Sequence, residues 1–213
     1  MEGNDGSRTT KIRGKMSEAD RSRKAELRGE IRARLKTLSL DERSSGSAEI
    51  RRQLAGQAIW KSSKAIMAYV PTAHEPDIWP AVIEALDSGK QLSLLRYSPD
   101  GDRYVPCLIR DPARDLQPGQ YGIIEPMPHC PIFDLMRLDL ALVPGIGFTL
   151  NGGRLGRGKG YYDRLLAEVP ALKCGVAFDC QIVGEFPLEP HDVQLNCILT
   201  PTRWHLVGGR ARS

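Results

Sequence analysis

Seven glycines and four cations crowd into residues 145–164. The glycines are Gly145, Gly147, Gly152, Gly153, Gly156, Gly158 and Gly160. The cations are Arg154, Arg157, Lys159 and Arg164, and one carboxylate, Asp163, stands among them. Glycine lets backbone N–H groups gather around an anion, because no Cβ blocks the approach and positive φ is allowed. The chemistry implied is the holding of phosphate or another polyanion. Gly153 to Lys159 fits the G-x-x-x-x-G-K spacing of a P-loop, but Gly160 stands where that loop needs Ser or Thr for Mg²⁺. The pattern is incomplete at the metal-bearing position, which argues against a standard P-loop fold. A flexible connector is disfavoured too, because cations interleave with the glycines and apolar segments bracket them.

Those segments position the loop. Leu138–Val143 is a short apolar run suited to a buried strand, ended by Pro144. Tyr162, Leu165, Leu166 and Val169 recur on one helical face, so Tyr161–Val169 reads as a helix whose N-terminus adds unpaired N–H groups. The reading is strand, glycine-rich loop, helix. Helix geometry splits the tyrosines: Tyr162 points to the core and Tyr161 is left for substrate.

A second set of cations lies near the start of the chain. Ser17-x-x-Asp20 resembles a capping box, and a helix follows to about Leu38 with Leu27, Ile31, Leu35 and Leu38 as its stripe. Lys24 and Arg28 fall on or beside that stripe, while Arg23 points away. Two inward cations need an anion or a route for their head groups to reach water. Ser39-x-x-Glu42 is a second capping box, opening a helix to about Trp60 that Gly46 weakens.

Ala65–Val70 is a continuous apolar strand, suited to the middle of a parallel sheet. Glu75 and Asp77 follow at its carboxyl end, where open α/β sheets bind ligands. Asp77 has a structural use as N-cap of a helix Ile78–Asp87 that Gly89 ends; Glu75 has none. Gln91–Leu95 is the next strand, with Arg103–Ile109 as a hairpin partner across the turn Ser98–Gly101. Asp111–Pro131 is proline-rich loop. Leu172–Phe178 and a final Leu195–Leu199 complete the strands. The fold class is α/β, a single three-layer α/β/α sandwich with a mainly parallel sheet and N-terminal helices. Residues 17–207 form the domain, 1–16 a disordered tail and 208–213 a frayed tail. Met16 is a second candidate start.

No apolar run approaches the roughly 20 residues that span a bilayer, and the N-terminus has no secretory h-region. The five cysteines make no C-x-x-C and read as reduced thiols of a cytoplasmic protein. His129-Cys130 has no second ligand pair at zinc-site spacing. The net charge is +4, all of it in residues 1–34, where ten Lys/Arg meet six Asp/Glu. With acids interspersed and no aromatic interleaving, that reads as a solvated helix face and not a nucleic-acid arm.

Arg154–Asp163, RLGRGKGYYD, resembles the signature of the 5-formyltetrahydrofolate cyclo-ligase family. Val143–Phe148, VPGIGF, is similar to that family's strand-end motif, and Gly122–Pro126 to its G-I-x-E-P segment. The matched motifs run from Lys24 to Asp192. The resemblance implies a scaffold also seen in sugar-phosphate isomerases and CoA transferases. It implies ATP- and Mg²⁺-dependent closure of 5-formyltetrahydrofolate to 5,10-methenyltetrahydrofolate, with ADP and phosphate released after phosphorylation of the formyl oxygen. It assigns ATP to Lys24, Arg28, Arg154, Leu155, Gly156, Arg157, Gly158, Lys159, Gly160, Tyr161 and Tyr162. It assigns folate to Val70 and Glu75 with Arg157, Gly158, Lys159, Gly160 and Tyr161. Arg157, Lys159 and Tyr161 would be catalytic, and Asp163 and Asp192 would hold Mg²⁺. Relatives carry a second acid four positions after Asp192, where this chain has Asn196; His191 is read as a loop residue. The chain would be a monomer acting on small molecules, with no nucleic-acid or membrane partner. The alternatives are another ATP- or phosphosugar-handling enzyme on the same scaffold, or a non-catalytic nucleic-acid-binding relative.

Overall fold

The computed structural model describes residues 17–119, 122–189 and 192–208. The expected tail at 1–16 with Met16, the loop residue His191 and the last five residues of the frayed tail lie outside the described residues.

Helix α1 (Glu18–Thr37) begins at Ser17, whose side chain accepts the N–H of Asp20 as the spacing predicted. Leu27, Ile31 and Leu35 are buried and carry Lys24 inward with them. Burying each such aliphatic side chain contributes about 1.5–3 kcal/mol. Helix α2 (Leu40–Gly56) opens on the full Ser39/Glu42 capping box. It does not reach Trp60 as expected. Gln57 is extended, at φ −74° and ψ 135°, and a short helix α3 (Ala58–Ser62) follows, with Trp60 buried in the core. Gly46 is a site of close approach: a Cβ there would lie 3.3 Å from both the Phe178 and Pro201 side chains.

The remaining elements, in order, are β1 (Ala65–Met67), α4 (Trp79–Asp87), β2 (Gln91–Ser98), β3 (Arg103–Ile109), α5 (Pro112–Asp115), β4 (Leu116–Pro118) and β5 (Ile124–Pro126). Then come β6 (Leu140–Val143), β7 (Gly147–Thr149), β8 (Arg154–Leu155), α6 (Tyr161–Glu168), β9 (Leu172–Val176), β10 (Ile182–Val183), β11 (Cys197–Thr200) and β12 (Arg203–Leu206). Helix α4 starts one residue later than expected. Ile78 takes the cap position, and Asp77 Oδ1 accepts the N–H of Trp79 at 3.0 Å.

The main sheet has the order β12-β11-β9-β6-β1-β2-β3. Its five inner strands pair in parallel, and β3 and β12 are antiparallel edges. Alternate residues face opposite layers. Ile66, Leu140, Leu142 and Val176 pack with residues of α2, α3 and α4; Met67, Ala141, Val143 and Ile198 pack with Leu165 and Leu166 of α6. This is the three-layer α/β arrangement with a mostly parallel sheet. Among the described residues no helix is long and apolar enough to cross a membrane.

Three further expectations need correction. The sheet does not end at β11: Arg203–Leu206 adds an edge strand whose half-exposed, polar sequence lacks a strand pattern. The proline-rich stretch holds a helical turn and the two-stranded ribbon β4–β5. The glycine-rich stretch is not one loop. Its first half is the hairpin β7–β8, joined to β10 in a small second sheet. Phe148 and Leu155 anchor it in the core, at 0% and 1% exposure.

Candidate active site

The carboxyl ends of β1 and β6 open onto a cavity of about 330 Å³. Val70 and Glu75 line it from beyond β1, Pro144 and Gly145 from beyond β6. Arg154, Gly156, Arg157, Lys159 and Gly160 close one side, continued by Tyr161, Tyr162 and Asp163 of α6. The sequence-predicted residues therefore converge, with exceptions. Leu155 is in the core, packed with Leu27 and Ile31, and its carbonyl accepts the Ile146 N–H. Gly158, Lys24, Arg28 and Asp192 lie beside the cavity and do not line it.

Arg154 is the most confined of the cations that line the cavity, 7% exposed. Its Nη2 donates to Asp163 Oδ1 at 2.8 Å, its Nη1 to the Pro144 carbonyl at 3.3 Å, and its guanidinium lies 5.3 Å from the Tyr162 ring centroid. Its Nε is buried with no hydrogen-bond partner among the described residues. A buried charged donor left unpaired costs free energy until an acceptor arrives. Arg157 is half exposed and reaches Glu75 Oε1 at 3.2 Å. Glu75 Oε2 accepts the Thr72 N–H and hydroxyl, each at 2.9 Å. Glu75 thus has the structural task that the sequence did not reveal, bracing the turn after β1.

The inward cations of α1 have found their partners. Lys24 is 6% exposed, with Nζ 3.0 Å from Asp192 Oδ2 and 3.7 Å from Glu189. Arg28 Nε donates to the Gly156 carbonyl at 2.9 Å. Burial and the neighbouring Arg32 lower the Arg28 pKa, partly offset by Asp192. Arg23 points away, as the spacing required.

Hard oxygen donors suit Mg²⁺, which commonly takes one or two carboxylates plus substrate phosphates. Asp163 Oδ2 and Asp192 Oδ1 carry no hydrogen bond to a described residue, so each acid keeps one oxygen for an ion. Asn196 does not: its Oδ1 accepts the Lys173 N–H at 2.8 Å at the amino end of β9, opposite the cavity.

Sequence reasoning missed the far wall. Tyr97 and Tyr104 are directly paired across the β2–β3 hairpin, and their rings lie 5.7 and 5.6 Å from that of Tyr161. Asp102 sits in the hairpin turn at φ 43°. Its carboxylate accepts the hydroxyls of Tyr161 at 2.5 Å and Tyr97 at 2.8 Å, and its carbonyl accepts Arg164. The two phenols lower the Asp102 pKa, and the carboxylate in turn holds the Tyr161 phenol well above its ordinary value. Ile123, Ile124 and Glu125 complete the wall. Burial raises the Glu125 pKa, though the Tyr97 N–H and Arg96 pull it back. Only the G-I-x-E-P segment signalled any of these in the sequence.

A second cavity, also about 330 Å³, adjoins the first and shares Thr72, Glu75 and Arg157 with it. Arg32, Lys36 and His74 line its outer side.

The model of the 5-formyltetrahydrofolate cyclo-ligase family matches residues 20–201. The chain belongs to that family. It is 32% identical over 188 residues to the 5-formyltetrahydrofolate cyclo-ligase of Mycolicibacterium smegmatis, covering 81% of this chain and 94% of the relative. The Mus musculus 5-formyltetrahydrofolate cyclo-ligase is 28% identical over 84% of this chain and 93% of its own. The solution structure of Aquifex aeolicus 5,10-methenyltetrahydrofolate synthetase superposes with a TM-score of 0.78 at 32% identity, covering 89% of this chain and 96% of that one. As a cyclo-ligase family member, the chain is a ligase of folate metabolism.

Proposed function

We propose that this cyclo-ligase family member closes 5-formyltetrahydrofolate to 5,10-methenyltetrahydrofolate with ATP. The observation that carries the reading is the buried Arg154 Nε, without a partner among the described residues, next to the open glycine loop in a cavity walled by tyrosines and apolar side chains. Such a site suits an anion at one end and a flat heteroaromatic ring at the other.

The formyl oxygen attacks the γ-phosphorus of ATP, the bridging P–O bond breaks and ADP leaves. N10 then attacks the formyl carbon, and the C–O bond breaks with phosphate carrying the oxygen away. The N10 proton passes to solvent. Catalysis here is positioning and charge neutralisation. Lys159 and Arg157 neutralise the transferring phosphoryl group, while Arg154 and the 156–160 backbone hold the nucleotide phosphates. Arg28 braces the loop through Gly156, and Lys24 anchors α1 to the loop that bears Asp192. Tyr161 and Val70 pack on the folate. Mg²⁺, held by Asp163 and Asp192, would add phosphate charge neutralisation when bound.

Arg157 and Glu75 couple the two substrates. Arg157 is exposed enough to turn toward phosphate, and doing so frees Glu75 Oε1 for a folate N–H. Arg32 and Lys36 in the adjoining cavity suit the carboxylates of the folate tail. Replacing both with Ala should raise the folate KM; an unchanged KM removes the tail from that cavity. We place the enzyme in the cytoplasm, since all five cysteines are free thiols, and read it as a monomer.

The deciding experiment mixes protein, 5-formyltetrahydrofolate, Mg²⁺ and ATP and follows methenyl product by its near-ultraviolet absorbance. Product that needs both ATP and Mg²⁺ is expected. Folded protein that binds ATP yet forms no product rejects this substrate. Glu75→Gln should raise the folate KM about tenfold, for a weakened charge-assisted hydrogen bond, with little change for ATP. An equal effect on both substrates breaks the proposed division.

A further inference from the structure

Away from both cavities, three metal-ligating side chains converge on the segment between β3 and β6. Asp115 ends α5, and His129 and Cys130 follow β5. Their ligand atoms all lie within 4.8 Å of one another. The sequence argued against a zinc site because His129-Cys130 lacks a second Cys or His pair. The structure supplies a carboxylate from fourteen residues earlier instead. We propose that Asp115, His129 and Cys130 bind one divalent transition-metal ion of the Zn²⁺ class, with water as the fourth ligand.

The donor set selects the ion. One carboxylate oxygen, one imidazole nitrogen and one thiolate suit Zn²⁺ or Co²⁺, whereas Mg²⁺ takes oxygen donors. Three protein ligands and one open position form the usual pattern of a site that admits water.

The ligands are held in place before an ion arrives. His129 Nε2 lies 3.0 Å from Asp115 Oδ1. The other oxygen, Oδ2, accepts the N–H groups of Arg110 at 2.8 Å and Asp111 at 3.0 Å, which fixes the carboxylate plane. The Asp115 carbonyl accepts the Met127 N–H at 2.7 Å and the Cys130 thiol at 3.4 Å. The Cys130 N–H donates to the Met127 carbonyl at 3.0 Å. Arg96, a nearby cation, donates to that same carbonyl at 2.7 Å and is not aimed at the thiol. Cys130 and Asp115 are sheltered while the His129 side chain is 57% exposed, so the imidazole faces the route of entry. Binding forms a metal–sulfur bond and releases the thiol proton to solvent.

The ion would tie α5 to the residues after β5, around the ribbon that carries Ile123, Ile124 and Glu125 into the main cavity wall. Its place in the molecule gives it a structural effect on that wall, independent of which substrate the cavity takes.

The test titrates the full-length protein, in saturating Mg²⁺, with Co²⁺ and separately with Zn²⁺. One equivalent of Co²⁺ should bind, with a sulfur-to-cobalt charge-transfer band in the near ultraviolet. Cys130→Ser should abolish the band. His129→Ala, a change at an exposed ring that leaves the fold intact, should weaken binding about tenfold or more, since even outer partners of a metal site cost that much. Zn²⁺ should raise Tm for wild type and not for His129→Ala. Cys180→Ser, at the one partly exposed cysteine, should keep the band. Absence of stoichiometric binding, unchanged affinity in His129→Ala, or loss of the band in Cys180→Ser would each overturn the site.

Discussion

The two halves of the glycine-rich stretch look alike in sequence and differ in space. In the first half the glycines are packing devices. A Cβ on Gly147 would lie 2.5 Å from Ile31 Cδ1, and one on Gly152, at φ +85°, would lie 2.6 Å from the Leu195 carbonyl. The Leu195 N–H in turn donates to the Gly152 carbonyl, so the hairpin tip is stitched to the segment leading into β11. In the second half the backbone is open at Gly158 and Gly160. A Cβ on Gly158, at φ +98°, would meet nothing closer than the Arg28 guanidinium at 3.7 Å. Glycine density alone does not mark a phosphate loop. The marker is glycine at positive φ with empty space beside it, flanked by cations.

Lys159→Ala should have the largest effect. It removes a positive charge from the open half, beside the Tyr161 ring at 5.9 Å, and no core volume. Losing one preorganised charge at a transferring group costs on the order of 10³-fold in kcat, about 4 kcal/mol. Tm should hold within a degree or two. Steady-state turnover with a thermal melt checks both, and a kcat within threefold of wild type would sink the assignment.

Gly152→Ala should show the reverse pattern. Left-handed strain and backbone overpacking together cost about 3 kcal/mol of stability. The denaturation midpoint should fall, while kcat per folded molecule stays near wild type. An unmoved midpoint would mean that the hairpin relaxes freely and the two halves are not distinct.

Gly158→Ala makes the comparison sharper, because it repeats the substitution at positive φ without the clash. The strain, about 1–2 kcal/mol, falls on a loop that can relax into solvent. The KM for ATP should therefore rise about tenfold with a midpoint close to wild type. A stability loss as large as that of Gly152→Ala would erase the distinction.

What the sequence disclosed follows the same division. Helical spacing placed Lys24 and Arg28 inward, and their partners Asp192 and the Gly156 carbonyl are long-range contacts that spacing cannot name. The carboxyl-end rule put Glu75 at the cavity, but not its bond to Thr72, which depends on the turn's own geometry. Apolar runs revealed the inner strands. The edge strand β12 stayed hidden because one side of it meets solvent and its residues need not be apolar. The split of the glycines was illegible since it depends on what Phe148 and Leu195 bring near them. The tyrosine wall was illegible for a similar reason: Tyr97, Asp102 and Tyr104 become neighbours of Tyr161 only through hairpin register.

That wall yields the smallest expected effect, and it tests whether the open half is held from outside. Asp102 occupies a left-handed turn position that Asn also tolerates, so Asp102→Asn keeps the shape of the turn and removes the charge. The hydrogen bond from Tyr161 then goes to a neutral acceptor and weakens. Without the anion the phenol loses the stabilisation of its protonated form, so Tyr161 should ionise at lower pH than in wild type. Ultraviolet difference titration reads that shift directly. Turnover should fall only about three- to fivefold, because Asp102 positions Tyr161 without touching substrate and the tyrosine ring keeps its neighbours Tyr97 and Tyr104. Asp102→Ala should fall further, since alanine is strained at φ 43° and the turn itself gives way. Wild-type turnover and an unshifted tyrosine titration in both variants would show that the loop needs no brace from the hairpin. Its order would then come from Arg28, the Arg154–Asp163 pair and the packed half of the stretch alone.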